Sequence, residues 1–347
     1  MVLAATYRVT GDLAFVQALS SNLVRALDWM DHYGDRDGDG YLEYLREADQ
    51  GLSNQGWKDS GDAIRFRDGR FAQAPIALCE VQGYAYAARM GAAELFDALG
   101  QPVAAATQRA TAATLKAQFA RDFWLPERDY VALALARDKR RVDALTSNPG
   151  QLLWTGILSP DQARLVATRL LQPDLFAGWG VRTMAISEAA YNPLSYHNGS
   201  VWPHDNSLII AGLARYGFTR EAALVAAGLI DALAYYPDPR LPELFAGYDR
   251  ADSGFPVEYP TACSPQAWAS GAIFLLVASA LGCDPSVPSL TGTPLLPDGI
   301  TTLRAEGLWF KGQRMALEAE RTPAGVLTRL THPMPVQYVT PRRQHPL

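Results

Sequence analysis

The chain has 347 residues, 48% of them hydrophobic and 19% charged, with a formal net charge of −5. That composition supports one large domain or two ordinary ones around a sizeable core, and excludes intrinsic disorder. An acidic balance without a Lys/Arg-rich stripe excludes a nucleic-acid or anionic-membrane binder, and no apolar run approaches the ~20 residues of a membrane span.

From the start, "MVLAATYRVTGDLAF" lacks the basic segment and long apolar run of a secretory signal. Next, with Thr10 or Asp12 as N-cap, "LAFVQALSSNLVRALDWMDHY" puts Leu13, Val16, Leu19, Leu23, Leu27 and Met30 on one helical face. "APIALCEVQGYAYAARMG" reads as a helix apolar almost all round, with Glu80 and Gln82 inside it, and "AAELFDALGQPVAAATQRATAATLKAQFARDFW" as one or two more. "RDKRR" at Arg137–Arg141 reads as a solvated loop. "SPDQARLVATRLL" opens with Ser159 as cap, Pro160 at the first helical position and Gln162 closing a capping box. "NSLIIAGLARYG" and "TREAALVAAGLIDALAYY" make a helical hairpin across Gly217, and "SPQAWASGAIFLLVASALG" carries little charge on any face.

Helices apolar on every side must be buried on every side, so their alternation with amphipathic ones predicts inner and outer helical layers. The long connections Asp35–Gln73, Trp124–Pro149, Asp174–Asp205 and Tyr236–Cys263 are then expected to gather at one end as a pocket. From about Pro294 the pattern alternates, predicting an antiparallel sheet of Thr301–Leu308, Gln313–Glu320 and Gly325–Leu330 packed on the helices, with a frayed "TPRRQHPL" end. A helical domain over 1–290 and a strand-bearing tail over 291–347 are expected. Cys79, Cys263 and Cys283 have no CxxC spacing and leave one thiol over under any pairing, which points to free thiols and a cytoplasmic setting.

Four stretches carry chemistry. In "NQGWKDSGDA", Asp59 follows Trp57 in a turn shaped by Gly56 and Gly61; an indole face beside a carboxyl disfavours its charged form and suits a general acid, whereas the bland reading is an Asx-turn. Glu243 in "PDPRLPELFAGY" is framed by Pro237, Pro239 and Pro242, with Glu258 as the nearby alternative. "YNPLSYHNGSVWPHDNS" packs His197, Asn198, Trp202, His204 and Asp205 together, a density that is costly to bury unless a polyol or sugar satisfies it. The two histidines match no usual zinc spacing. "DRDGDGYLEY" places Asp35, Asp37, Asp39 and Glu43 like the start of a calcium loop, but Arg46 stands where an EF-hand needs a bidentate glutamate. A structural calcium site of another kind and a self-bonded Asx loop both remain open; no other cofactor is expected, since Walker, Rossmann and GxSxG patterns are absent. Loop aromatics Tyr33, Trp57, Trp179, Tyr196 and Trp202 suit stacking on sugar rings.

In that order, "DRDGDGYLEY", "NQGWKDSGDAI", "GWGVRTMAISEAAYNPLSYHNGSVWPHDNSLI", "RLPELF" and "CSPQAWASGA" resemble the bacterial amylo-α-1,6-glucosidase (glycogen-debranching) family, from about Asp12 to Gly282. The resemblance implies an all-α (α/α)6 barrel of the six-hairpin glycosidase type, acting on α-glucans by inversion. Asp59 is then the general acid and Glu243 the general base, with room for water between them at roughly 6.5–9.5 Å. The substrate-binding candidates that go with it are Tyr33, Trp57, Lys58, Glu80, Gln82, His197, Asn198, Trp202, His204, Asp205, Gln266 and Trp268. Fewer helices are visible than such a barrel holds, so the chain reads as the C-terminal part of such an enzyme, with apolar helix faces left open. A non-catalytic carbohydrate-binding remnant, or a related barrel glycosidase for mannosyl-type or trehalose-like sugars, are the alternatives.

Overall fold

The computed structural model describes residues 1–236, 240–283, 294–323 and 325–334. Helices α1 (Val2–Thr10), α2 (Leu13–Ala18) and α3 (Ser20–Trp29) come first, and a π-helical turn at Met30–Gly34 leads out of α3. The amphipathic run expected from Leu13 is thus two helices, broken at Leu19; Asp12 caps the first by accepting from the Phe15 amide at 2.9 Å. Val16 and Leu27 are buried from that face, while Leu13 is exposed. Helices α4 (Cys79–Ala98) and α5 (Pro102–Asp122) form a hairpin, and α6 (Asn148–Thr155) and α7 (Pro160–Leu170) follow. The capping box of α7 has both bonds, Gln162 amide to Ser159 Oγ and Ser159 amide to Gln162 Oε1, each 3.2 Å. Helices α8 (Pro203–Arg215) and α9 (Thr219–Leu233) turn at Gly217, whose φ of +81° favours glycine. The one-turn α10 (Arg250–Ser253) and α11 (Ala267–Ala280) complete the helices among the described residues.

Their packing gives the expected two layers of an (α/α)6 barrel. Helices α1, α4, α6, α8 and α11 stand side by side, each against the next, while α5, α7 and α9 back α4, α6 and α8. Small residues permit the close crossings: a Cβ on Gly212 of α8 would strike the α6 backbone at Trp154. Val2, Ala5, Tyr86, Met90, Trp154 and Leu275 line a groove of about 470 Å³ between α1 and α11, and Phe274 is 79% exposed beside it. No helix among the described residues is long and apolar enough to cross a membrane, and Cys79, Cys263 and Cys283 are all unpaired.

The four long connections do gather. Isolated antiparallel bridges pair Thr146 with Met184, Arg182 with Val201, Val201 with Phe245 and Phe245 with Glu258, stitching three of them into one ladder. Strands β1 (Ala77–Leu78), β4 (Ala134–Leu135) and β5 (Arg141–Val142) form a small sheet, and β2 (Trp124–Leu125) pairs with β3 (Tyr130–Val131). The tail is the expected three-stranded antiparallel sheet: β6 (Thr302–Phe310), β7 (Gln313–Thr322) and β8 (Gly325–Met334), with a bulge between Ala305 and Leu308. It docks through Leu317 and Ala319 on Ala280, Leu281 and Leu296. The boundary expected at 290/291, the frayed end, Pro237 and Pro239 lie outside the described residues.

Candidate active site

The loop 53–64 is an irregular turn because its residues favour neither helix nor strand. A Cβ at Gly56 would run into Leu78, so glycine lets this loop lie directly on the start of α4. Asn54 holds the turn from inside, donating to the Ser60 carbonyl at 2.7 Å and accepting from the Tyr44 hydroxyl at 2.7 Å. Asp59 emerges half-buried. Glu243, 8% exposed, is pinned by backbone pairing of its amide with the Cys263 carbonyl at 2.9 Å, and its Oε2 accepts from the Cys263 amide at 3.3 Å. The alternative Glu258 is exposed on the outer side of the ladder.

Tyr196 joins the two loops. Its hydroxyl donates to Glu243 Oε1 at 2.7 Å. Burial, that bond and the charges of Glu243 and Asp59 together push the phenol well above its ordinary range. Next to it, His197 Nδ1 lies 2.8 Å from the Ser60 hydroxyl, so the residues following both Asp59 and Tyr196 are locked together. The Ser60 amide also points at Nδ1 from 3.4 Å, which makes Nδ1 the acceptor and puts the imidazole proton on Nε2. That buried Nε2 has no partner among the described residues. Burial, then the charge of Lys58, lower the His197 pKa to about 3, so the ring is neutral.

The wall is aromatic. Trp57 meets His197, Trp202 and His204 edge-on at 5.5, 5.7 and 6.4 Å between ring centres. His204 stacks on Trp268 at 4.2 Å, and Tyr196 meets Tyr259 at 5.8 Å. The Trp57 and Trp268 indole nitrogens and His204 Nδ1 are buried without partners among the described residues. Buried donors of this kind are normally satisfied, so their concentration here points to a polar ligand.

Other expected residues have structural partners. Trp202 is fully buried behind the wall, donating to the Tyr196 carbonyl and Ser200 Oγ at 2.9 and 3.0 Å. Asn198 donates to the Asp62 carbonyl at 2.9 Å. Gln266 Oε1 caps α11 through the Trp268 amide at 2.8 Å. Gln82 is engaged at both ends, accepting from the Leu42 amide and donating to the Leu42 and Leu78 carbonyls, which makes it a clamp on the 35–44 loop and not a substrate ligand. Tyr33 is 71% exposed on the π-turn and makes no ring contact or hydrogen bond with the cluster among the described residues. Trp179 is core, under Arg250 and Tyr235. Lys58, Glu80 and Asp205 are buried beneath the site. Burial lowers the Lys58 pKa to about 8 against the pull of Asp205 and Glu80, and raises that of Glu80.

The aspartate loop does not fit a calcium ion. Oxygens of Asp35, Asp37 and Asp39 do lie within 4.8 Å of one another. However, Asp35 caps the Gly38 and Gly40 amides at 2.8 and 2.9 Å, and Lys139 Nζ contacts Asp37, Asp39 and Glu43 at 2.7, 2.6 and 2.6 Å. An ammonium already stands at the focus of the carboxylates. A crevice of about 790 Å³ runs beside this loop, lined by Phe66, Arg67, Asp122, Glu127 and Arg141 among others. Its charges partly neutralise one another, as in Arg70–Asp68 and Lys139–Asp39, so volume alone does not make it a site.

Tyr196, expected only as a loop aromatic suited to sugar rings, is found bonded to Glu243, whereas the Ser60 contact with His197 and the Tyr259 ring were not expected from the sequence.

Residues 1–254 match the family described as the mannosylglycerate hydrolase MGH1-like glycoside hydrolase domain. Among solved structures, a sialidase aligns over 93% of this chain with a TM-score of 0.72 at 13% identity. The GH78 family rhamnosidase of Bacillus sp. GL1 aligns over 93% with a TM-score of 0.63 at 15% identity. The chain spans 30% of the length of each, and the likeness is one of fold. No curated protein matches the sequence. The class of six-hairpin glycosidases is therefore the one expected from the motifs, while the matching family is not the debranching one.

Proposed function

This chain belongs to the MGH1-like glycoside hydrolase family, and from that premise we propose that it hydrolyses α-linked hexosides with inversion, Asp59 acting as general acid and Glu243 as general base. Asp59 donates its proton to the leaving glycosidic oxygen as the bond to the anomeric carbon breaks. Glu243 takes a proton from the water that attacks the opposite face of that carbon. The observation that supports this reading is Tyr196, whose hydroxyl hydrogen-bonds Glu243 and which lies near enough to Asp59 to feel its charge, linking the two loops. Neutral His197 offers its Nε2–H, and the Trp57 and Trp268 indoles their N–H groups, to sugar hydroxyls.

For the substrate, the motifs favour an α-1,6-linked glucan stub and the family description favours a small α-mannoside such as mannosylglycerate. A panel holding both, with the anomer of the released sugar followed by NMR, separates the two and distinguishes inversion from retention. Asp59→Asn and Glu243→Gln should each lower kcat by ~10²–10⁴-fold with the fold intact. Near-normal turnover in either variant removes the assignment, and sugar binding without turnover by the wild-type chain would make it a binding domain.

A further inference from the structure

Lys58 precedes Asp59, and its side chain is buried, 1% exposed, with Nζ 5.2 Å from the centre of the Trp57 ring in the aromatic wall. Its Nζ donates to the Thr183 carbonyl at 2.6 Å. Burying an ammonium is costly unless opposite charge and hydrogen bonds compensate it. The compensating charges come from the first turns of two inner helices on either side of α6, Glu80 of α4 and Asp205 of α8, the latter also accepting from Gln151 of α6 at 2.6 Å.

Thr183 is itself a junction. Its hydroxyl donates to the Ser200 carbonyl at 3.1 Å and accepts from the Gly199 amide at 2.8 Å. Val201 then pairs with Phe245 through two backbone bonds of 2.9 and 3.0 Å. A continuous path of short contacts thus runs from the neighbour of Asp59, through Thr183 and the segment after Tyr196, to the strand-like segment carrying Glu243. Arg182, beside Thr183 and paired with Val201, adds a buried guanidinium that donates to the Gly247 carbonyl at 2.7 Å and so holds the far end of the path.

Resting on the hydrolase reading above, we propose that Lys58 is a positioning residue that sets the separation of Asp59 and Glu243 by anchoring the Asp59 loop to Thr183. It acts without touching substrate. An inverting pair needs a gap fitted to one water, so loosening this anchor lowers turnover more than affinity.

The test compares Glu80→Gln with Lys58→Met/Glu80→Gln, which differ only at Lys58, and the double variant keeps the formal charge of the wild-type cluster because it removes one charge of each sign. Relative to Glu80→Gln, the double variant should show at least tenfold faster amide exchange across residues 53–64, with the exchange of α8 unchanged. It should also show at least a tenfold lower kcat with KM within threefold. Unchanged protection of the 53–64 loop overturns the proposal, as does a raised KM with kcat kept, which would make Lys58 a substrate ligand. If the double variant does not fold, Lys58→Arg, which keeps the charge on a differently shaped head, is judged by the same two criteria. A wild-type chain that turns over no glycoside sinks the hydrolase reading, while the exchange comparison still decides the role of Lys58.

Discussion

Two side chains from the stretch 196–197 carry most of what the site can do, and each has a consequence that can be measured. The Tyr196 hydroxyl orients Glu243 through one bond of 2.7 Å. A hydrogen bond to a charged group contributes about 1.5–3 kcal/mol, and each ~1.4 kcal/mol is a factor of ten in rate. Tyr196→Phe should therefore lower kcat about ten- to a hundredfold with little change in melting temperature; a wild-type rate would show that the phenol does not orient the base. His197 has the opposite signature, in stability. Its folded pKa of about 3 lies below the unfolded value near 6.5, so the unfolded chain binds the extra proton first as pH falls. Its contribution is complete above ~6.5 and is lost progressively between there and ~3. Urea midpoints should fall on acidification through that window, and less steeply in His197→Gln; equal slopes would contradict a neutral, buried ring.

Among the elements, the 35–44 loop shows how far composition can mislead. Three aspartates and a glutamate look like cation ligands, but the cation is Lys139, from the "RDKRR" run that reads as a solvated loop. Burial pulls the Lys139 pKa down, and the three carboxylates outweigh it and hold it above its ordinary range. Chelator or added calcium should leave the melting temperature unchanged, since Lys139 already neutralises Asp37, Asp39 and Glu43. Lys139→Met should cost about 1–3 kcal/mol, discounted for the partial exposure of the pair and measured by chemical denaturation. A calcium-dependent melt in the wild type would restore the metal reading. The α7 capping box, in contrast, is local and was legible, because both of its bonds lie within four residues of sequence.

Across the whole molecule, the helical layers and the tail sheet share one core edge, where Leu317 and Ala319 meet Ala280, Leu281 and Leu296. Leu317→Ala should destabilise the chain by roughly 2–5 kcal/mol, as deletion of a buried leucine does, and in a single cooperative melt. A separate low-temperature transition would mean that the sheet folds apart from the barrel. Helix positions, the alternating tail and the density of polar groups around His197 followed from periodicity and local bonding, which act within a few residues and so are written in the order of the amino acids. The break at Leu19, the short α6 that begins at Asn148 and the clamp made by Gln82 did not, because each depends on what arrives from elsewhere in the chain. The same divide runs through the site. The sequence by itself determined that Asp59 follows Trp57 in a glycine-shaped turn and that Glu243 sits in a proline-framed loop; only the tertiary structure decided that Tyr196 bonds Glu243 and that Lys58 is buried on Thr183. Contacts between residues more than a hundred positions apart are selected by packing, and no local pattern encodes them.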